Sequence, residues 1–197
     1  MINLTIYEQT LAARSVREFD MTKRVGEENL RHFIDCARVC PSAANLQVLK
    51  YRLVFDENES EKLFKLTRWA GYLKDIKLPP DGKAPTDFIV ICHDTTVAPI
   101  SDYSSMDVGI CAQTINLAAR ERGFSSCMIG SFDKKECSAL LNIPDEIKPV
   151  LVIAVGTPAE EPIICSVPED GSIKYFRDSA NLHFVPKRSL KEVELKK

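Results

Sequence analysis

The sequence lacks the glycine patterns through which backbone loops bind nucleotides. Only eight of its 197 residues are glycine, and they form neither G-x-G-x-x-G nor G-x-x-x-x-G-K. A Gly-rich cradle for a dinucleotide or a nucleotide phosphate is therefore excluded. Any phosphate that this chain binds must be held by side chains.

Metal-ligand and nucleophile motifs are also absent. The seven cysteines never form C-x-x-C, and the three histidines, His32, His93 and His183, lie far apart without a ligand-spaced partner. We therefore expect no metal site, and we interpret each histidine as a surface or core residue. No G-x-S-x-G elbow supports a serine hydrolase.

Charge and hydropathy narrow the class of protein further. The formal net charge is only -2, which gives no reason to expect nucleic acid or an anionic membrane as partner. No apolar run approaches the length needed to span a bilayer, and the N-terminus lacks a signal-peptide layout. The cysteines mostly lie in apolar segments without disulfide-scaffold spacing. We expect a reduced, cytoplasmic protein.

Hydrophobic periodicity predicts one α+β domain over residues 1–197, in which helices cover a central mixed, largely antiparallel sheet of four or five strands. The helix from Ser104 to Arg122 is apolar nearly all round, so it is buried in the domain or against a second copy. From Thr157 the chain becomes proline-punctuated and ends basic, which predicts a tail that frays or wraps a neighbour. Helices are predicted over 3–12, 25–40, 60–69, 104–122 and from 133, strands over 51–55, 88–92, 126–129 and 149–155, and a lid or crossing loop over 78–85.

The stretch Arg14-Ser15-Val16-Arg17-Glu18-Phe19 follows the first predicted helix and is the strongest local signal. Two guanidiniums and a hydroxyl within four residues can grip a phosphate, because the guanidinium fork donates paired hydrogen bonds and the hydroxyl adds another. Taken alone, these three residues are better explained as a solvated basic surface turn, and the phosphate-binding interpretation gains weight only from the segments that follow.

Several further segments occur in a recognisable order. After Arg14 to Phe19 come Pro41-Ser42-Ala43-Ala44-Asn45-Leu46-Gln47, Asp107 to Gln113 at the start of a long apolar helix, Met128-Ile129-Gly130-Ser131-Phe132, Pro149 to Gly156, and Val185-Pro186-Lys187-Arg188-Ser189-Leu190. Together they resemble the FMN-dependent nitroreductase family over nearly the whole chain. Many of its members carry Arg-Arg-Ser where this chain has Ala13-Arg14-Ser15.

The resemblance implies a homodimer with FMN at the subunit interface and residues 157–197 packed on the partner subunit. It also implies that a hydride passes from NAD(P)H through flavin N5 to an electrophile such as a nitroaromatic or a quinone. No catalytic triad is then needed, because the cofactor carries the chemistry. Relatives that use FMN for dehalogenation, dehydrogenation or flavin breakdown, and a non-enzymatic flavin-binding module, stay as alternatives.

The resemblance also assigns roles to individual residues. Arg14 and Ser15 would hold the phosphate, with Lys187 or Arg188 closing over it, and Arg17 would face flavin N1 and O2, where reduction builds negative charge. Asn45 and Gln47 would pair with the pyrimidine edge or the ribityl hydroxyls, and a backbone N–H of Gly130 or Ser131 would reach N5. The full set of expected cofactor-binding residues is Arg14, Ser15, Arg17, Pro41, Ser42, Ala43, Asn45, Gln47, Ile129, Gly130, Ser131, Lys187 and Arg188.

Overall fold

A computed structural model describes residues 4–73 and 75–195. The α-helices are α1 Ile6–Ala12, α2 Gly26–Arg38, α3 Glu57–Lys65, α4 Asp102–Glu121, α5 Lys134–Leu141 and α6 Leu190–Val193. The strands are β1 Leu49–Val54, β2 Asp87–Asp94, β3 Ser125–Ile129, β4 Ile147–Gly156, β5 Ile163–Ser166, β6 Phe176–Arg177 and β7 His183–Lys187.

The central sheet has four strands in the order β1-β2-β4-β3, and every pairing in it is antiparallel. All eight residues of β2 are buried, as its unbroken apolar run predicts for a strand covered on both faces. The α+β architecture with a largely antiparallel, helix-flanked sheet is therefore confirmed.

The two faces of the sheet carry separate apolar clusters, because successive side chains of a strand point to opposite sides. Ile89 and Ile91 pack with residues of α2 and α4. Phe88 and Val90 pack with residues of α3 and α5. The helix pair α2 and α4 thus covers one face, and α3 and α5 cover the other.

Element ends follow local capping chemistry. Thr5 forms a capping box with Glu8 at the start of α1, so this helix begins inside the predicted range 3–12. The first residue of that range, Asn3, lies outside the described residues. Ser101 caps α4, and Asp133 accepts a hydrogen bond from the backbone of Glu136, as predicted for α5. Helix α3 ends at Lys65, four residues before the predicted end.

The chain after Thr157 contains strands that the hydrophobic pattern does not predict. Strand β7 pairs in parallel with β5 and antiparallel with β6, and we call these three strands the C-terminal sheet. Residues of this region, among them Glu160, Arg177 and His183, contact Arg17 and Glu18 of their own chain, and the expectation that the tail wraps a partner subunit stays a prediction. The last two residues of the basic end, 196 and 197, lie outside the described residues.

Within the described ranges, no helix combines the length and apolar character that crossing a bilayer requires.

Candidate functional site

Residues 14–17, here called the Arg14 segment, leave α1 and run alongside β3. The backbone N–H of Val16 donates to the carbonyl of Ser126 at 3.1 Å. Buried Asn116 on α4 links the segment to β3. Its amide nitrogen donates to the carbonyl of Ala13 at 3.1 Å, and its amide oxygen accepts from the Ser126 hydroxyl at 2.8 Å. The segment is therefore held by the edge of the sheet and by the longest helix together.

Arg14 and Ser15 keep donors that the chain does not satisfy. Ser15 is exposed. Arg14 is half-buried and donates from Nη2 to the carbonyl of Thr10 at 2.6 Å, while its Nε is buried without a hydrogen-bond partner. Burial lowers the pKa of this guanidinium from its ordinary value. An anion bound here would supply the missing acceptor.

Arg17 is more buried than Arg14 and Ser15, at 9% exposure. Its guanidinium carbon lies 4.4 Å from the centre of the Tyr175 ring, and its Nη1 lies 3.1 Å from Nε2 of His183. Its Nε is buried without a partner. Among the residues that the structure describes, no carboxylate oxygen lies within ion-pair distance of this guanidinium, so its direct contacts are with an aromatic ring and an imidazole.

Arg177, a second buried arginine in the same cluster, is paired instead. Its side chain is 2% exposed and contacts Glu18 at 3.0 Å and Glu160 at 2.5 Å. Burial acts to raise the pKa of Glu160, but the neighbouring imidazole of His183, the hydrogen bond from the Arg17 backbone and the charge of Arg177 outweigh it and lower that pKa. Both carboxylates of the cluster are thus engaged by Arg177.

Residues 41–47, which we call the amide loop, are anchored by Asp107 of α4. The buried Asp107 carboxylate accepts from the Ser42 hydroxyl at 2.8 Å and from the backbone N–H of Ala43 at 3.1 Å. The Ser42 hydroxyl oxygen in turn accepts from the backbone N–H of Gln47 at 3.1 Å. Asp107 is therefore an anchor for this loop as well as a charge in the second turn of the helix.

The amide loop is held in an unusual backbone conformation. Ala44, Asn45 and Gln47 have φ of 49°, 54° and 51°, which is the left-handed region that non-glycine residues adopt at a cost of about 1 kcal/mol or more each. Asn45 and Gln47 are exposed, and the loop borders a cavity of about 210 Å³ lined also by Tyr51 and Cys111. Strain of this kind is concentrated at functional sites.

The remaining predicted residues lie at two strand ends. Ile129 is buried at the end of β3, and the exposed residues Gly130 and Ser131 follow it. The carbonyl of Ser131 accepts a hydrogen bond from the backbone N–H of Arg68 at 2.9 Å. Lys187 ends β7, and Arg188 follows it. Both cations are exposed, and neither forms an ion pair with the carboxylates of the described residues.

The structure does not bring the amide loop and the Arg14 segment together within one chain. Asp107, which holds the loop, and Asn116, which holds the segment, are nine residues apart on α4. That is two and a half turns, so they point to opposite sides of the helix and lie about 13 Å apart along its axis. The solvent face of α4 between them is apolar: Tyr103, Met106 and Ile110 are 68%, 62% and 42% exposed.

The family model for nitroreductases matches residues 11–157, three quarters of the chain. The chain belongs to the nitroreductase family. That range includes the Arg14 segment, the amide loop and the Gly130–Ser131 turn, and it ends where the C-terminal sheet begins. The resemblance read from the sequence motifs is thereby confirmed.

Relatives of this nitroreductase-family chain match most of its length. It is 28% identical over 163 residues to a protein of Methanothermobacter thermautotrophicus named "Putative NADH dehydrogenase/NAD(P)H nitroreductase", covering 81% of this chain and 80% of that protein. The nitroreductase family protein of Streptococcus pneumoniae TIGR4 shares the fold at a TM-score of 0.67 with 22% identity, over 84% and 97% of the two chains. The NADPH:FMN oxidoreductase of Vibrio harveyi, complexed with NAD+, shares the fold at a TM-score of 0.63 with 24% identity, covering 83% of this chain and 74% of that chain.

Four residues around Arg17 in this nitroreductase-family protein are missing from the sequence-based set: Glu160, Tyr175, Arg177 and His183. They lie in the proline-punctuated region after Thr157, where no periodicity marks a strand. Asp107 and Asn116 were likewise not predictable as anchors, since their partners are 65 and 103 residues away in sequence. Only the density of charged and aromatic residues between prolines could have drawn attention to the C-terminal sheet.

Proposed function

We propose that this protein is an FMN-dependent oxidoreductase that takes electrons from NAD(P)H and delivers them to a small organic electrophile, such as a nitroaromatic or a quinone. FMN, when bound, supplies the hydride chemistry that no side-chain constellation in this chain provides. Family membership supports the reaction class, and the names of the Methanothermobacter and Vibrio proteins support NAD(P)H and FMN.

The observation that carries the proposal is that the buried Arg17 guanidinium has no carboxylate partner among the described residues. A buried cation without a counter-ion costs free energy, so proteins normally pair it. Arg177, next to it, has two carboxylate partners, while Arg17 contacts only a tyrosine ring and a histidine. The arrangement leaves the Arg17 guanidinium without a carboxylate in direct contact, and we interpret it as the partner of an anionic group that the protein itself does not supply.

The donor set fits FMN, which has an anionic phosphate at one end and a ring that gains negative charge at the other. Arg14 and Ser15, with Lys187 or Arg188, would hold the phosphate, and Arg17 would face the pyrimidine edge of the ring and stabilise the charge there. Asn45 and Gln47 would supply amide partners. The exposed turn at Gly130–Ser131 would offer a backbone N–H to the cofactor. Gly130 has no side chain to block it, and the space where a Cβ would stand is open, with no atom within 4 Å.

We further propose that the functional unit is a homodimer. The amide loop and the Arg14 segment flank opposite sides of α4 and cannot converge on one FMN within a single chain unless the cofactor spans the exposed face between them. A second copy seated on that apolar face would touch both groups. The domain assignment, one FMN-binding domain with residues 157–197 as an extension that reaches the partner, also stays a prediction.

The test is spectroscopic and uses the full-length protein. We expect a yellow protein, or one that takes up added FMN at one equivalent per chain in a fluorescence titration. Because the proposed site grips phosphate through Arg14 and Ser15, riboflavin should bind at least tenfold more weakly than FMN, and Arg14→Ala should reduce this preference. Anaerobic NADH or NADPH should then bleach the flavin spectrum.

Two results would contradict the proposal. A colourless protein that takes up no FMN would remove the cofactor assignment. Bound FMN that neither NADH nor NADPH reduces would leave a flavin-binding module rather than the proposed oxidoreductase.

A further inference from the structure

His183 of the C-terminal sheet is the polar side chain that holds the Arg17 guanidinium. The imidazole is 2% exposed, its Nε2 lies 3.1 Å from Nη1 of Arg17, and its Nδ1 lies 3.4 Å from Oε2 of Glu160. Glu160 reaches Arg17 from the other side as well, because its Oε1 accepts from the Arg17 backbone N–H at 2.5 Å. One carboxylate and one imidazole therefore fix both the backbone and the side chain of Arg17.

The contact with Arg17 determines where the proton of His183 sits. A guanidinium has only donors, so Nε2 of His183 must accept and cannot carry a proton. The proton of the neutral ring is then on Nδ1, facing Glu160. That contact is long and poorly aligned, and Nδ1 has no other partner among the described residues, so Glu160 orients the ring mainly through charge.

The charges around His183 balance only when the imidazole is neutral. The charged groups that face it are Arg17 and Glu18 from the Arg14 side, Glu160 from the segment before β5, and Arg177 from β6. Two further side chains belong to this cluster: Tyr175 stacks edge-on to the imidazole, and burial raises the pKa of the Cys127 thiol to about 11. A proton on Nε2 would place two cations 3.1 Å apart in a buried cluster.

We propose that His183, oriented by Glu160, is a positioning residue that holds the Arg17 guanidinium toward the flavin site without neutralising it. A carboxylate at this position would hold Arg17 equally well but would cancel its charge, whereas a neutral acceptor preserves it. The inference rests on the proposed role of Arg17 at the FMN ring. Its consequence is that loss of the acceptor at position 183 releases Arg17 and weakens FMN binding.

The tautomer can be read directly by nitrogen NMR of the full-length protein labelled with 15N-histidine, with and without FMN. At pH 8 we expect His183 to show a protonated Nδ1 and an unprotonated Nε2. His93 is the internal control, because its buried Nε2 lies 2.7 Å from the carbonyl oxygen of Ala98 and must donate. A protonated Nε2 on His183 at pH 8 overturns the proposal, whatever the protein does with flavin.

Two substitutions separate positioning from simple packing. His183→Gln keeps a neutral acceptor, so FMN affinity at pH 8 should stay within about threefold of wild type. His183→Leu fills the space without an acceptor and should weaken FMN binding about tenfold at pH 8, the loss of roughly one charge-assisted hydrogen bond. Equal FMN affinities in wild type, His183→Gln and His183→Leu would overturn the proposal.

Failure of this inference is distinguishable from failure of the proposed function. If no form of the protein binds FMN, the function is wrong. If FMN binds but His183→Leu binds it as tightly as wild type, the function stands and the role of His183 does not.

Discussion

Two buried arginines 160 residues apart in sequence share one cluster, and their partners distinguish their roles. Arg177 is neutralised by Glu18 and Glu160 and ties the C-terminal sheet to the Arg14 segment. Arg17 rests on Tyr175 and His183 and keeps its charge. At the scale of single residues, pairing rather than burial distinguishes the structural cation from the one that we propose acts on the flavin.

Replacement of Arg17 tests this distinction. Arg17→Ala should lower the flavin midpoint potential, because a fixed cation at the pyrimidine edge favours the reduced, more negative ring. Loss of a charge-assisted contact is worth about 1.5–3 kcal/mol, shared between affinity and potential, and about 30 mV corresponds to roughly 1.4 kcal/mol for a two-electron couple. Spectroelectrochemical titration of FMN-saturated proteins should show a drop of some tens of millivolts.

Arg17→Lys is the graded control for that measurement. It keeps the charge but loses the planar two-pronged donor, so its potential should fall between wild type and Arg17→Ala. Superimposable potentials and equal FMN affinities in all three proteins would show that Arg17 does not lie at the flavin ring.

Glu160 gives a prediction on stability and pH. Its folded-state pKa is lowered below the ordinary value of 4.5, so its ionised form stabilises the fold above that value, and this contribution disappears as the pH falls through the lowered pKa. Glu160→Gln should cost about 1.5–3 kcal/mol of unfolding free energy at pH 7, and the deficit should shrink below pH 4.5.

Chemical denaturation of wild type and Glu160→Gln between pH 3.5 and pH 7 measures this difference in unfolding free energy. Glu161→Gln is the matched control, since the Glu161 side chain is 86% exposed and 3.7 Å from Arg120; its effect should stay under 1 kcal/mol at every pH. A deficit for Glu160→Gln that does not change with pH would show that the carboxyl is not ionised in the folded protein.

Helix α4 organises the candidate site at the scale of elements. Its second turn anchors the amide loop through Asp107, and its fourth turn anchors the Arg14 segment through Asn116. One rigid element therefore sets the spacing of two binding groups, and a ligand that needs both is positioned by the length and phase of a single helix.

Asp107→Ala tests the anchoring of the amide loop. It removes the acceptor for Ser42 and Ala43 and leaves three left-handed residues unsupported, so the loop should relax. We expect faster hydrogen exchange at the amides of Ala43 and Gln47, about 1.5–3 kcal/mol lower stability and weaker FMN binding. Asp102→Asn, an exposed carboxylate on the same helix, is the control and should leave exchange in the loop unchanged.

At the scale of the whole molecule, exposed apolar side chains on α4 and α1 mark the side on which a partner would sit. Besides Met106 and Ile110 of α4, Ile6 and Tyr7 of α1 are 79% and 73% exposed. Surfaces of this kind on one side of a domain usually mark interfaces.

Met106→Glu combined with Ile110→Glu should therefore convert a dimer to a monomer and weaken FMN binding more than tenfold, because charges on this face cannot be buried without partners. Light scattering and FMN titration measure the two effects. Met21→Glu is the control, because Met21 is an exposed apolar residue in a turn, and it should change neither the oligomeric state nor FMN binding. A wild-type protein that binds FMN as a monomer at micromolar concentration would rule out the dimeric site.

The amino-acid sequence by itself determined what depends on neighbours along the chain. Alternation in one segment, short apolar runs in others and helical periodicity predicted the four strands of the central sheet and the long helix, because burial leaves a local hydrophobic pattern. The Arg14 segment, the amide loop and the final Lys-Arg pair were identified as motifs for the same local reason. Family membership followed from their order.

Only the tertiary structure decided which residues surround them. The C-terminal sheet is absent from the pattern because its short, half-exposed strands carry no regular alternation and are stabilised by contacts with Glu18 and Arg17, some 160 residues earlier. The unpaired state of Arg17 depends on how Arg177 distributes its hydrogen bonds, and the separation of the two binding groups depends on the phase of α4. Both are relations between distant parts of the chain, which no local spacing encodes.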